Sequence, residues 1–265
     1  MNFEPETRNS KPLSLIGEAI NTAGHPALRQ ALRHGDFSAV ENLARAQIAA
    51  GANMLDVHTG GKIADETALL PQMVRAAQNA TGAPVCLDSQ NPDAIEAALR
   101  VTRGTAIINS TTADPRALEK ILPLAKNFGA GVVGLCLNDS GIPPAVESRL
   151  ALAETILDRA VQIGIPAENV IIDPLVLALK THPDSVPVTL ETIRRLRESL
   201  GVNVTIGGSN ISFSLPNRAA LNAAFLALAI AAGVTHPIVN VLQPEVVAVA
   251  RATERLLPHR IERKP

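Results

Sequence analysis

A chain of 265 residues that is 46% hydrophobic and 18% charged can bury a large core without covalent staples, and it is too rich in Leu, Ile, Val and Ala for a disordered polymer. Its 24 basic and 25 acidic side chains are scattered, so a formal charge of −1 leaves no field for a nucleic-acid backbone or an anionic membrane. The polar start of the chain lacks the apolar stretch of a secretory signal, and residues 221–234 fall short of the roughly 20 apolar residues of a membrane span, which implies a cytoplasmic protein and a buried helix there. Cys86 and Cys136 lie inside apolar runs and are expected as buried, reduced thiols without a catalytic role.

In chain order, short β-branched or apolar runs at 13–19, 54–58, 84–88, 106–109, 132–138, 170–173, 204–207 and 238–241 read as strands. Between and after them, helical periodicity covers 39–50, 66–80, 92–101, 115–128, 147–163, 190–200, 218–232 and 245–256. Asn91 before Pro92 and Asp114 before Pro115 are capping side chains ahead of a proline at the first helical position, and Gly51, Gly129 and Gly201 sit where a left-handed residue ends a helix. Eight βα units predict one parallel (β/α)8 TIM barrel occupying residues 1–265 as a single domain, with about 1–11 and 258–265 as loose termini. An open doubly wound sheet uses the same units, but no GxGxxG follows the first strand.

The strands end in carboxylates and carboxamides: Glu18 with Asn21, then Asp56, Asp88, Asn109, Asn138, Asp173, Asn210 and Asn240. In a parallel barrel every C-terminal strand end opens on the same face, so residues far apart in sequence should meet. Each could instead cap the following helix. Taken together, acceptors and donors in a ring suit a flat heterocycle, because a carboxylate accepts two parallel hydrogen bonds from an amino group and an adjacent ring N–H. A pterin presents such an edge.

The runs Ile16-Gly17-Glu18-Ala19-Ile20-Asn21, Leu87-Asp88-Ser89, Ile108-Asn109-Ser110-Thr111, 134–141, Ile172-Asp173-Pro174-Leu175, and Ser209-Asn210-Ile211-Ser212 through Pro216-Asn217-Arg218 resemble the pterin-binding methyltransferases, in particular the methyltetrahydrofolate:corrinoid protein methyltransferases, over about the whole chain. The resemblance implies a homodimeric barrel like that of dihydropteroate synthase, which holds 5-methyltetrahydrofolate and exchanges its methyl group with the cobalt of cobalamin or of a separate corrinoid protein. It implies that Asp88, Asn109 and Asp173 bind the pterin ring, with Asp56 and Asn138 in the same pocket. Asn210 falls beside N5, as the catalytic residue, and Glu18, Asn21, Ser212 and Arg218 are further candidates. Ala19, His58 and Gly208 depart from the family's usual Arg, Asn and Leu.

Two other functions share this pocket. Dihydropteroate synthase carries a Ser-Arg-Lys set near the seventh strand, where Ser209-Asn210-Ile211-Ser212 stands here, and a non-catalytic pterin-binding subunit would not need Asn210. Asp56-Val57-His58-Thr59-Gly60-Gly61 fits the D-x-H-x-x-G pattern of cobalamin-binding domains but lacks their downstream signals. The dispersed histidines predict no metal site, and Lys62 and Lys180 are expected as solvated loop charges.

Overall fold

The computed structural model describes residues 13–23, 25–60 and 65–257; both expected loose termini, Gly61 and Lys62 lie outside them. Strands β1 (Ile16–Asn21), β2 (Met54–His58), β3 (Val85–Asp88), β4 (Ala106–Thr112), β5 (Gly131–Leu135), β6 (Val170–Asp173), β7 (Asn203–Gly207) and β8 (His236–Val239) pair in parallel in chain order, and β8 closes onto β1. Closure excludes the open sheet. Around the barrel run α1 (Pro26–Arg33), α2 (Ser38–Ala49), α3 (Glu66–Thr81), α4 (Pro92–Leu99), α5 (Pro115–Phe128), α6 (Val146–Gln162), α7 (Ser185–Arg195), α8 (Arg218–Ala232) and α9 (Pro244–Leu256).

Local chemistry sets the helix ends. The Asn91 side chain accepts from the Asp93 N–H at 3.1 Å, and that of Asp114 accepts from the Arg116 and Ala117 N–H groups at 2.9 and 3.3 Å, so each starts its helix as its sequence suggests. On α5 the buried residues Leu118, Ile121, Leu122 and Ala125 form one stripe at helical spacing. Such stripes meet the outward-facing strand residues Leu55, Val57, Leu87, Ile108, Val132, Ile172 and Val204, all fully buried between sheet and helices.

Departures from the expected boundaries have physical causes. Leu13 and Leu15 are apolar because they pack against Leu226 and Ile230 of α8 and Val246 of α9, ahead of the strand itself, and β1 runs from Ile16 to Asn21. Helix α7 starts at Ser185, ahead of the expected 190, since the buried residues of its opening turns are Ser185 and Thr189, whose hydroxyls bond backbone carbonyls and hide the periodicity. The short α1 buries only Leu28 and Leu32 and gave no signal. Helix α8 is not buried throughout, as Leu228 is 51% exposed.

One close approach fixes β1. From α2, fully buried Gln47 accepts the Ala19 N–H at 2.8 Å through Oε1, and a Cβ on Gly17 would lie 2.4 Å from that oxygen. Gln47 is held by this bond and cannot swing aside without orphaning the amide. Gly17→Ala should therefore cost about 1–3 kcal/mol, read as a lower urea midpoint at unchanged slope.

Candidate functional site

Strand alternation builds the site. The lower barrel interior is closed by Ile16, Met54, Cys86, Ile107, Val133, Ile171 and Ile238. Two residues further along each strand the side chain returns to the same face, nearer the C-terminal mouth. Within the strands those positions are Glu18, Asp56, Asp88, Asn109, Leu135 and Asp173, while β8 ends at Val239. An apolar floor thus gives way within one strand repeat to a layer that is polar everywhere except Leu135.

Asp56 is buried at 4% exposure and accepts from Asn109 Nδ2 at 3.3 Å, with the Cys86 thiol as a further donor. Strand register sets His58, Asp88 and Asn109 side by side across β2, β3 and β4. Across the mouth, Ser209 Oγ in the 3-10 turn after β7 donates to Glu18 Oε1 at 2.5 Å. Arg218, the first residue of α8, donates from Nε to Ser212 Oγ and from Nη2 to the Ser209 carbonyl, both at 3.0 Å. This network ties β1, the β7 turn and α8 together around Asn210, which is exposed at the rim. Two consecutive glycines lead into the turn: a Cβ on Gly208 would sit 2.9 Å from Val239 Cγ1, which accounts for glycine at the departure noted at 208, and one on Gly207 would sit 2.8 Å from Nδ2 of the exposed Asn210 side chain.

Asp173 ends β6, and its Oδ1 accepts the Leu175 N–H at 2.8 Å. Below it, Arg149 of α6 is 2% exposed and donates to the carbonyls of Pro143, Pro174 and Leu175 at 2.9, 2.8 and 3.1 Å, which fixes the loops after β5 and β6. Neither Arg149 nor Ser209 stood out in the sequence as a site residue. Arg149 looks like one solvated charge of an amphipathic helix, and only the topology turns it under the loop.

Asn21, Asn138 and Asn240 are held more locally. Their side-chain oxygens accept the backbone N–H two residues on, at Ala23, Ser140 and Leu242, at distances of 2.8, 3.0 and 3.1 Å. These are local turns and not helix caps, since the helices that follow have His25, Ala145 and Gln243 at their N-caps, and Asp173 makes the same bond to Leu175.

Burial dominates the electrostatics. It raises the carboxyls of Glu18, Asp56 and Asp88 above their ordinary range, and that of Asp173 to about 7. Ser209 and Arg218 oppose the shift at Glu18; the Leu175 amide and Arg149 oppose it at Asp173. Cys86 and Cys136 are free and buried, and their thiols are pushed up too, so neither supplies a thiolate near neutrality. Among the described residues no group of His, Cys, Asp and Glu could hold a metal ion.

A carboxyl that binds its proton more tightly when folded lowers stability as pH rises from the unfolded value to the folded one. For Asp173 that window runs from 3.8 to about 7. The ligand-free protein should therefore melt lower at pH 7.5 than at pH 5.5, and Asp173→Asn should flatten the slope; equal slopes in a melting series would contradict a buried, proton-holding Asp173.

Carboxyls desolvated in this way gain from a ligand that brings N–H donors to them. Residues 17–240 match the pterin binding enzyme family. The chain belongs to that family. Among relatives of this pterin-binding enzyme, the methylcorrinoid:tetrahydrofolate methyltransferase of Eubacterium limosum is 28% identical over 246 residues, which cover 92% of this chain and 90% of that one. Methionine synthase of Mycobacterium leprae is 30% identical over 243 residues, 85% of this chain but only 20% of that protein. Dihydropteroate synthase from Thermus thermophilus superposes with a TM-score of 0.71 at 22% identity, over 94% of this chain and 96% of that one, a likeness of fold alone.

Proposed function

We propose that this pterin-binding enzyme moves a methyl group between N5 of methyltetrahydrofolate and the cobalt of cobalamin or of a corrinoid protein docked at the barrel mouth. The observation that carries the proposal is the inward layer of Asp56, Asp88, Asn109 and Asp173 with Asn210 on the adjoining rim. Likeness along nearly the full length of the Eubacterium limosum methyltransferase supports the same reading.

The pterin's amino and ring N–H groups donate to Asp88 and Asp173, and Asn109 supplies a donor and an acceptor beside them. Asp56 lies beneath as the buried partner of Asn109. These residues orient the ring so that N5 faces the opening, where the other substrate arrives. When the N5–methyl bond breaks, its electron pair returns to N5, and a poor amine leaving group is helped by a proton or a hydrogen bond. The Asn210 carboxamide donates there, or accepts from a protonated N5, without titrating itself. Glu18, Ser209, Ser212 and Arg218 hold the turn that carries Asn210.

Dihydropteroate synthase chemistry is less well supported, since no lysine stands between β7 and α8 to meet a pyrophosphate leaving group. A non-catalytic subunit would leave the tied Asn210 turn without a task. The proposal extends to a homodimer, in which the exposed and uncharged face of α8 at Ala220, Ala224, Leu228 and Ala231 would be covered. Among the described residues no helix is long and apolar enough to cross a membrane. A cytoplasmic setting also suits the reduced cysteines.

The test is direct. Purified protein mixed with methyltetrahydrofolate and cob(I)alamin should form methylcobalamin, followed by absorbance, at a rate proportional to enzyme. Pterin binding without any methyl transfer, to cobalamin or to a corrinoid protein, would leave the binding-subunit reading in its place.

A further inference from the structure

His58 is a departure from the family pattern that the proposed mechanism does not use. It is the last residue of β2 and lies on the same face as Asp56, two residues before it. Across the sheet it is in register with Asn21 of β1 and Asp88 of β3. Its Nδ1 stands 3.6 Å from Asp88 Oδ2, outside hydrogen-bond range, and is buried with no hydrogen-bond partner among the described residues. The side chain as a whole is 28% exposed at the mouth, where Asp88 is 34% exposed. This shielded, unpartnered ring nitrogen thus lies beside the carboxylate of Asp88.

We propose that His58 is a positioning residue for pterin recognition: its imidazole holds Asp88 in place as a charged acceptor for the N–H edge of the pterin. The inference rests on the pterin reading above and adds a residue to it.

The electrostatic setting gives this residue its task. Asp173 has the guanidinium of Arg149 beneath it, and Glu18 faces Arg218. Asp88 has neither; burial raises it, the Glu66 carboxylate at the start of α3 raises it further, and His58 is the group that opposes both. The charged groups around His58 are Asp56 on its own strand, Asp88 on β3 and Glu66 on α3, which accepts from Thr59 Oγ1 at 2.9 Å; on β1 its neighbour Asn21 is neutral. All three are carboxyls, so among them the imidazole is the group that can offer Asp88 an N–H. A protonated Asp88 is a poorer partner for the pterin edge because one oxygen then carries a hydrogen.

The sign of the pH effect follows. Without the imidazole, Asp88 takes up its proton at a higher pH, so pterin affinity begins to fall earlier on the acid side while the alkaline plateau is unchanged. The experiment is calorimetric titration of full-length wild type, His58→Asn and His58→Gln with tetrahydrofolate from pH 5.5 to 8.5, with kcat for methyl transfer at saturating pterin and melting curves as a check on folding. Both variants should bind like wild type at pH 8.5 and about three- to tenfold more weakly than wild type on the acid limb, with kcat nearly unchanged. Adding His58→Asn to Asp88→Asn should produce no further shift. Superimposable affinity curves would overturn the assignment, as would a loss equal at every pH, which marks simple packing, or a loss confined to kcat. Wild-type protein that binds no tetrahydrofolate at any pH would instead overturn the pterin reading itself, and this assignment with it.

Discussion

Asp173→Ala should raise the dissociation constant for methyltetrahydrofolate by about two orders of magnitude and leave kcat at saturating pterin within a few-fold. The carboxyl lies at the end of β6, turned into the barrel, and one oxygen is already committed to the Leu175 amide. A ligand amino group and ring N–H would complete its hydrogen bonding, and each charge-assisted bond is worth about 1.5–3 kcal/mol. Because the pyrimidine edge does not change on methyl transfer, that energy is present equally in ground and transition states and shows in KM. The alanine variant also leaves Arg149 facing an empty position, so Asp173→Asn, which keeps one acceptor and the shape, is the better measure of charge alone. Calorimetry alongside steady-state kinetics separates the two quantities. An Asp173→Ala enzyme with wild-type affinity would remove this residue from the pocket.

Asn210→Ala should do the opposite. Turnover should fall by about 10²–10³-fold, the range seen when a donor to developing charge is removed, while pterin affinity changes by less than about threefold. Asn210 is exposed at the rim, and its backbone is held by the turn that Ser209, Ser212 and Arg218 secure, so truncating the side chain should leave the turn in place. Asp173 and Asn210 thereby make a matched pair, and their profiles should not be interchangeable. Single-turnover rates with pre-bound pterin report the step directly; a full wild-type rate in Asn210→Ala would remove it from the chemistry.

Much of this architecture could be read from sequence because βα units carry strong local signals. Met54–His58 and Val170–Asp173 are bounded by their own hydrophobic runs, and Pro115–Phe128 by Asp114, Pro115 and Gly129. The convergence of the strand-end acids was legible for the same reason, as parallel closure leaves a single mouth. What escaped were features that periodicity cannot encode. Buried Ser185 and Thr189 concealed the start of α7, and α1 has just two buried residues. Arg149 and Ser209 act through partners 25 and 191 residues away, respectively, and composition says nothing about such pairs. Asn21, Asn138 and Asn240 belong to the same sequence pattern as the inner acids, and each, like Asp173, accepts the backbone N–H two residues on. Such a local turn reads alike in sequence whether or not the side chain also faces the barrel axis.

The most direct measurement is a crystal structure of the protein with methyltetrahydrofolate bound. The pyrimidine edge should rest on Asp88, Asn109 and Asp173, with N5 within hydrogen-bond reach of the Asn210 carboxamide and its methyl group open to the barrel mouth. A pterin bound elsewhere, or seated with N5 turned away from β7, would contradict the account.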